Sequence, residues 1–126
     1  IGLIAPCLVL AHSDVRMHCD VTYAGQTQRI DIVRTQDVYR VPSVSIGGRF
    51  AFKALQVQAA QQAERVALYV YRQDDDRAVL IQHLELAPVP MPSGNTPLDL
   101  VGRQHLYSGP LERELIYQCF AQAVQP

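Results

Sequence analysis

Tryptophan is absent from this chain, lysine occurs once, at position 53, and cysteine three times in 126 residues. No apolar run reaches the roughly 20 residues that a membrane-crossing helix needs. Eleven basic residues against twelve acidic ones leave a formal net charge of -1, so the chain has no cationic surplus of the kind that draws a domain to nucleic acid or anionic lipid. Catalytic signatures are missing too: there is no Gly-x-Ser-x-Gly elbow, no Gly-rich phosphate loop and no Cys-x-x-Cys pair. These absences argue against a nucleic-acid binder, a membrane span and the motif-bearing enzyme classes. What remains is a chain of single-domain length. Its basic residues are Arg except for Lys53, a bias that points to a GC-rich bacterial genome.

Two stretches place a cysteine in the middle of an apolar strand face. From Val15 to Tyr23, the residues Val15, Met17, Cys19, Val21 and Tyr23 alternate with Arg16, His18, Asp20 and Thr22, and a period of two puts the first set on one side of a strand. Near the other end, Leu115, Tyr117, Cys119 and Ala121 repeat the pattern. The spacing predicts first and last strands, joined by a Cys19–Cys119 disulfide with Cα atoms about 4.4 to 6.8 Å apart.

The opening run, residues 1–11, is apolar and uncharged and reads as the remnant of a secretory signal peptide, leaving residues 12–126 as one β-sandwich domain. Val9 and Ala11 suit the small-residue positions of a cleavage site, which would make His12 the new N-terminus. Cleavage after Ser13 fits nearly as well. Removing the signal discards Cys7 and leaves an even pair of cysteines, as expected in an oxidising compartment. The expected location is therefore the periplasm or the exterior, with no membrane span in the mature chain.

Between the two cysteine strands, turn signals recur at short intervals. Thr27 to Arg34 reads as a strand carrying Ile30 and Ile32 on one face, and Val38 to Ile46 as an edge strand, because Pro42 cannot donate to a ladder. At Gly47 and Gly48, a three-residue loop through Arg49 pairs Ile46 with Phe50 and Val44 with Phe52 and keeps all four on one buried face. A two-residue loop would scramble the faces. Gln58 to Ala63 suggests a helical turn or loose crossover. Arg65 to Arg72 reads as a central strand, Ala78 to Leu86 as its antiparallel partner across Asp74–Asp76, and the Pro-rich segment 87–97 as an extended crossover. The predicted fold is all-β: an antiparallel β-sandwich of seven or eight strands, immunoglobulin-like in general architecture. Tyr117, two residues before Cys119, resembles the tyrosine corner of immunoglobulin domains, although their core Trp is missing.

Histidine is the main candidate for chemistry. His18 with Asp20, and His83 with Glu85, share strand faces and could each begin a metal site. If cleavage follows Ala11, the amino group and imidazole of His12 could chelate Cu(II), with His83 or His105 as a further ligand. In size, export, sheet content and this N-terminal histidine, the chain resembles the periplasmic copper carriers of the CopC kind, which implies copper as cofactor. The leading expectation is different: a non-enzymatic exported sandwich that needs no cofactor and binds an envelope protein, using the Pro42 strand and the Pro-rich crossover as open surfaces.

Overall fold

The computed structural model describes residues 14–109 and 113–124, together with Gly2. Cys7, His12 and the cleavage positions lie outside the described residues. Two packed sheets form a β-sandwich. The first contains β1 (Asp14–Tyr23), β2 (Gln26–Asp31), β8 (Leu98–Asp99), β9 (Gln104–Ser108) and β10 (Arg113–Val124), in the order β2-β1-β10-β8, with β9 also on β10. The second contains β3 (Val33–Thr35), β4 (Val44–Ile46), β5 (Phe50–Val57), β6 (Arg65–Asp74) and β7 (Arg77–Leu86), in the order β3-β5-β6-β7, with β4 also on β5. Seven of these ten strands have five or more residues. β3 was not foreseen as a separate strand, β4 is the end of the run expected from Val38 to Ile46, and β3 runs parallel to β5, so the second sheet is mixed.

The terminal strands pair antiparallel along their whole shared length, from Asp14 opposite Val124 to Tyr23 opposite Leu115. Cys19 faces Cys119 in this register, and their sulfurs are bonded with a Cα separation of 4.0 Å. This is slightly closer than the predicted range. The backbone of Cys119 explains the distance: its carbonyl accepts from the Leu100 N–H at 2.9 Å, away from β1, which makes the cysteines a non-hydrogen-bonded pair, the closer of the two antiparallel types. The bridge therefore joins neighbours within one sheet, whereas the immunoglobulin bridge joins the two sheets. Tyr117 also differs from a tyrosine corner in its partner, because its hydroxyl donates to the side-chain carbonyl of Gln82 on the opposite sheet.

Between the sheets lies one core, in which Phe50, Phe52, Leu68, Leu115 and Tyr117 are completely enclosed. The Phe52 and Tyr117 rings meet across it at 5.0 Å. A second, smaller cluster of Leu55, Val57 and Ala67 lies on the outer face of the second sheet, under Val38, Val41 and Tyr69. Burial on both faces explains the near-continuous apolar run of β5 and the central place of β6.

The Gly47–Gly48 hairpin has the predicted register, Ile46 opposite Phe50 and Val44 opposite Phe52. Val44, expected to be buried, is 40% exposed because β4 is the sheet margin at that point. Gly47 has φ of 59°, and a Cβ there would come within 2.3 Å of the Tyr23 ring. The β1–β2 turn is two residues, Ala24 and Gly25, at φ of 52° and 78°, the pair of positive angles that a type I′ hairpin requires.

The strand predicted from Thr27 to Arg34 is broken in the middle. The chain leaves the first sheet after Asp31 and enters the second at Val33, with Ile32 buried at the crossing and its N–H donated to the Met17 carbonyl at 2.9 Å. Alternation of side chains continues through the switch, so the sequence pattern carried no mark of it. On the opposite flank, residues 87–97 carry the chain from β7 back to the first sheet, as expected of a crossover. Gln58 to Glu64 makes neither a helix nor a crossover but closes the β5–β6 hairpin between Val57 and its partner Arg65.

Candidate functional site

Each described histidine is held by a carboxylate of its own. His18 Nε2 lies 3.8 Å from Asp20, His83 Nε2 lies 3.4 Å from Glu85, and His105 Nδ1 lies 3.3 Å from Glu114. His83 pairs with Tyr69 on the outer face of the second sheet, while His105 pairs with Ile116 on the outer face of the first. The thickness of the sandwich separates them, so His12, which lies outside the described residues, could share an ion with one of them at most. Among the described residues no three His, Cys, Asp or Glu side chains cluster as a metal site.

Around His83 the outer face of the second sheet is aromatic. Its imidazole stacks on Tyr69 at 4.4 Å, Tyr71 stacks beyond at 6.4 Å, and the Lys53 ammonium is 5.8 Å from the Tyr69 ring centre. Burial raises the Tyr69 and Tyr71 hydroxyl pKa values above the ordinary tyrosine value, with Glu85 adding to the effect on Tyr69. Glu85 is claimed twice, by His83 and by Arg65 at 3.3 Å. Elsewhere, a two-point hydrogen bond from Arg72 at 2.9 and 2.8 Å lowers the Asp74 carboxyl pKa. A hydrogen bond from Tyr107, helped by His105, lowers that of Glu114. These groups are engaged by one another at the surface.

Open strand edges are the other resource of a sandwich. The edges expected at the Pro42 strand and the Pro-rich crossover reduce to β4, which has three residues, and to a segment with no strand before Leu98. Three longer edges exist, one of them β9, which has five residues and β10 as its sole neighbour among the described strands. β7 spans ten residues but is broken by a bulge where Val70 and Tyr71 meet it, a device that spoils an edge for pairing. β2 and β9 are uninterrupted, and β2 is the longer of the two, six residues with β1 as sole neighbour among the described strands.

Register fixes what β2 presents. The two-residue hairpin makes Tyr23 and Gln26 a hydrogen-bonded pair, so Gln26, Gln28 and Ile30 turn their backbone groups toward β1. Thr27, Arg29 and Asp31 therefore direct their N–H and C=O groups outward. A cleft opens at each end of this edge. One, of about 350 Å³, lies between Gln26–Gln28 and the Ser45–Gly47 end of β4, with the Tyr23 side chain in its wall. The other, of about 580 Å³, lies where the chain leaves for the second sheet and is walled by Arg29, Asp31, Ile32 and Arg34 together with the start of β1 and the end of β10.

This larger cleft is the part that sequence reasoning missed. Arg16, Arg29 and Arg34 come from three strands in two sheets and converge only because of the switch at Ile32. Polar residues on both faces of β2, from Gln26 to Arg29, were the available sign of an exposed edge. Comparison with protein-family models, with curated protein sequences and with solved structures finds no match.

Proposed function

We propose that the protein is an exported, non-enzymatic binding module that takes an extended segment of an envelope protein as an added strand along β2. The observation that carries the proposal is the pairing of an open, unbulged edge with a cleft at each end. In strand addition, main-chain hydrogen bonds supply affinity and flanking pockets read alternate side chains. Here the outward backbone groups of Thr27, Arg29 and Asp31 are the main-chain half of such a site, and the two clefts are the side-chain half. Export rests on the apolar opening run and on the Cys19–Cys119 bridge. No helix among the described residues is long and apolar enough to cross a membrane.

A photo-crosslinking residue placed at Thr27 tests the reading in cells, with one at Leu80 on the β7 edge as the control. The expected result is one discrete adduct with an envelope protein from position 27, lost when Arg29, whose N–H faces outward, is also changed to Pro. An adduct from position 80 with none from 27 would sink the β2 assignment.

A further inference from the structure

The larger cleft has a charge opposite to that of the whole molecule. Three arginines, Arg16, Arg29 and Arg34, line it with one acidic residue, Asp31, in a chain whose formal net charge is -1. Of the three, Arg29 alone has Asp20 within ion-pair distance, at 3.8 Å, and Asp20 lies equally close to His18. Arg16 has no described acidic partner within ion-pair distance, and Arg34 is held by a neutral group.

That neutral group is Gln56, whose side-chain carbonyl accepts from Arg34 Nε at 3.4 Å while its amide donates to Glu64 at 2.6 Å. Gln56 is 5% exposed, so a buried polar side chain spends one hydrogen bond on fixing a surface arginine. This leaves the terminal guanidinium nitrogens of Arg34 for a ligand. Buried Met17 and Ile32 lend the same cleft an apolar floor. The β1–β2 ladder stops at His18 and Asp31, apart from the Ile32 to Met17 bond, so the backbone of Val15 faces the cleft without a described strand neighbour. Arginine suits carboxylates because its planar fork donates two parallel hydrogen bonds.

We infer that the cleft formed by Arg16, Arg29 and Arg34 seats a carboxylate of the segment added on β2, either an Asp or Glu side chain or the free C-terminus of the partner. This rests on the strand-addition reading of β2 and adds to it the chemistry of the partner. Gln56 acts as a positioning residue through Arg34.

The test is selection of random heptapeptides on the full chain, displayed with free and with blocked C-termini, followed by amide hydrogen exchange with synthetic copies of the winners. The expected winners carry Asp, Glu or a free C-terminus at one fixed position and slow exchange at Thr27 and Arg29. Arg34→Ala weakens them tenfold or more, and Gln56→Leu weakens them less and has no further effect once Arg34 is Ala, as a residue acting through Arg34 requires. A charge-reversed chain, with Arg16→Glu and Arg34→Glu, selects Lys or Arg at that position. Thermal melts establish that each variant is folded, the buried Gln56→Leu included, and the exchange readout needs no variant at all. Winners that protect Thr27 and Arg29 but show no acidic preference overturn the carboxylate inference and leave strand addition standing. Winners that leave those amides unprotected overturn both. If acetate or inorganic phosphate alone perturbs the three arginines as strongly as a winning peptide does, the cleft is a small-anion site and the docking inference fails.

Discussion

The two sheets of this sandwich are secured in different ways. In the first, β1 and β10 are cross-linked at Cys19 and Cys119, and the outer face is polar, with His18, Asp20 and Arg29 linked by ion pairs of 3.8 Å. The Arg29–Asp20 pair is exposed, and pairs of this kind contribute little. The second sheet has no bridge, but Leu55, Val57 and Ala67 are buried on its outer face as thoroughly as Phe52 and Leu68 are on its inner one. One sheet relies on a covalent tie and the other on two-sided burial. The difference bears on function, because among the described strands β2 has β1 as its only neighbour, and β1 is the tied strand. An edge that docks a partner gains from a neighbour that cannot slip, since ordering a mobile edge would subtract from affinity.

Breaking the tie should give the largest effect. The bridge spans a sequence separation of 100, for which the chain-entropy model gives up to about 4.7 kcal/mol, and removal of a native disulfide commonly costs about 2–5 kcal/mol. Changing Cys19 and Cys119 together to Ala should lower the urea midpoint accordingly and speed amide exchange in β1 and β2 more than in β5 and β6. Uniform loss of protection in both sheets would show that the tie serves the whole sandwich and would remove the contrast drawn above.

How much of this could be seen in the sequence follows from the same contrast. The tied strands were legible because each repeats an apolar–polar alternation around a cysteine, and pairing two such strands is a local inference. The Gly47 hairpin was legible because register decides which side chains are buried, and Ile46, Phe50 and Phe52 allow one answer. The sheet switch at Ile32 was not, because a strand that changes sheets keeps its period of two and merely changes neighbours. The candidate site inherits that blindness. Arg16 and Arg29 look like ordinary outward residues, and Arg34 like the polar end of the Ile30–Ile32 face, until the three are seen at one cleft, and Gln56 looks like a polar break in β5 until Glu64 and Arg34 are seen on either side of it.

The second sheet offers the next test. Leu55→Ala removes a fully enclosed side chain from the outer cluster, a change that costs about 2–5 kcal/mol in well-packed sites. Since Leu55 and the bridge share no partner, its cost should be the same in the oxidised chain and in the Cys19→Ala, Cys119→Ala variant, within the few tenths of a kcal/mol expected of independent sites. A loss below about 1 kcal/mol would mean that Val38 and Val41 collapse into the space, and that the outer cluster is a cover and not a second core.

Tyr117 connects the two sheets and gives the smallest and most specific effect. It projects from the tied sheet, packs on Phe52 and donates its hydroxyl to Gln82, both on the other sheet. Burial raises its pKa far above the ordinary tyrosine value. In the unfolded chain the phenol titrates near pH 10, so below that pH it is protonated in both states and contributes no pH dependence. Above it the unfolded state binds fewer protons than the folded one, and stability must fall as pH rises. Tyr117→Phe removes this titration at the cost of one hydrogen bond, about 0.5–1.5 kcal/mol at neutral pH. Urea midpoints taken at pH 9 and pH 11, soon after the pH change so that the disulfide stays intact, should drop less in the variant than in the parent. The residual slope belongs to Tyr69 and Tyr71, whose pKa values burial also raises. Equal slopes in the two proteins would mean that the outer tyrosines carry the alkaline sensitivity, and that the contact between the sheets at Tyr117 is looser than its burial implies.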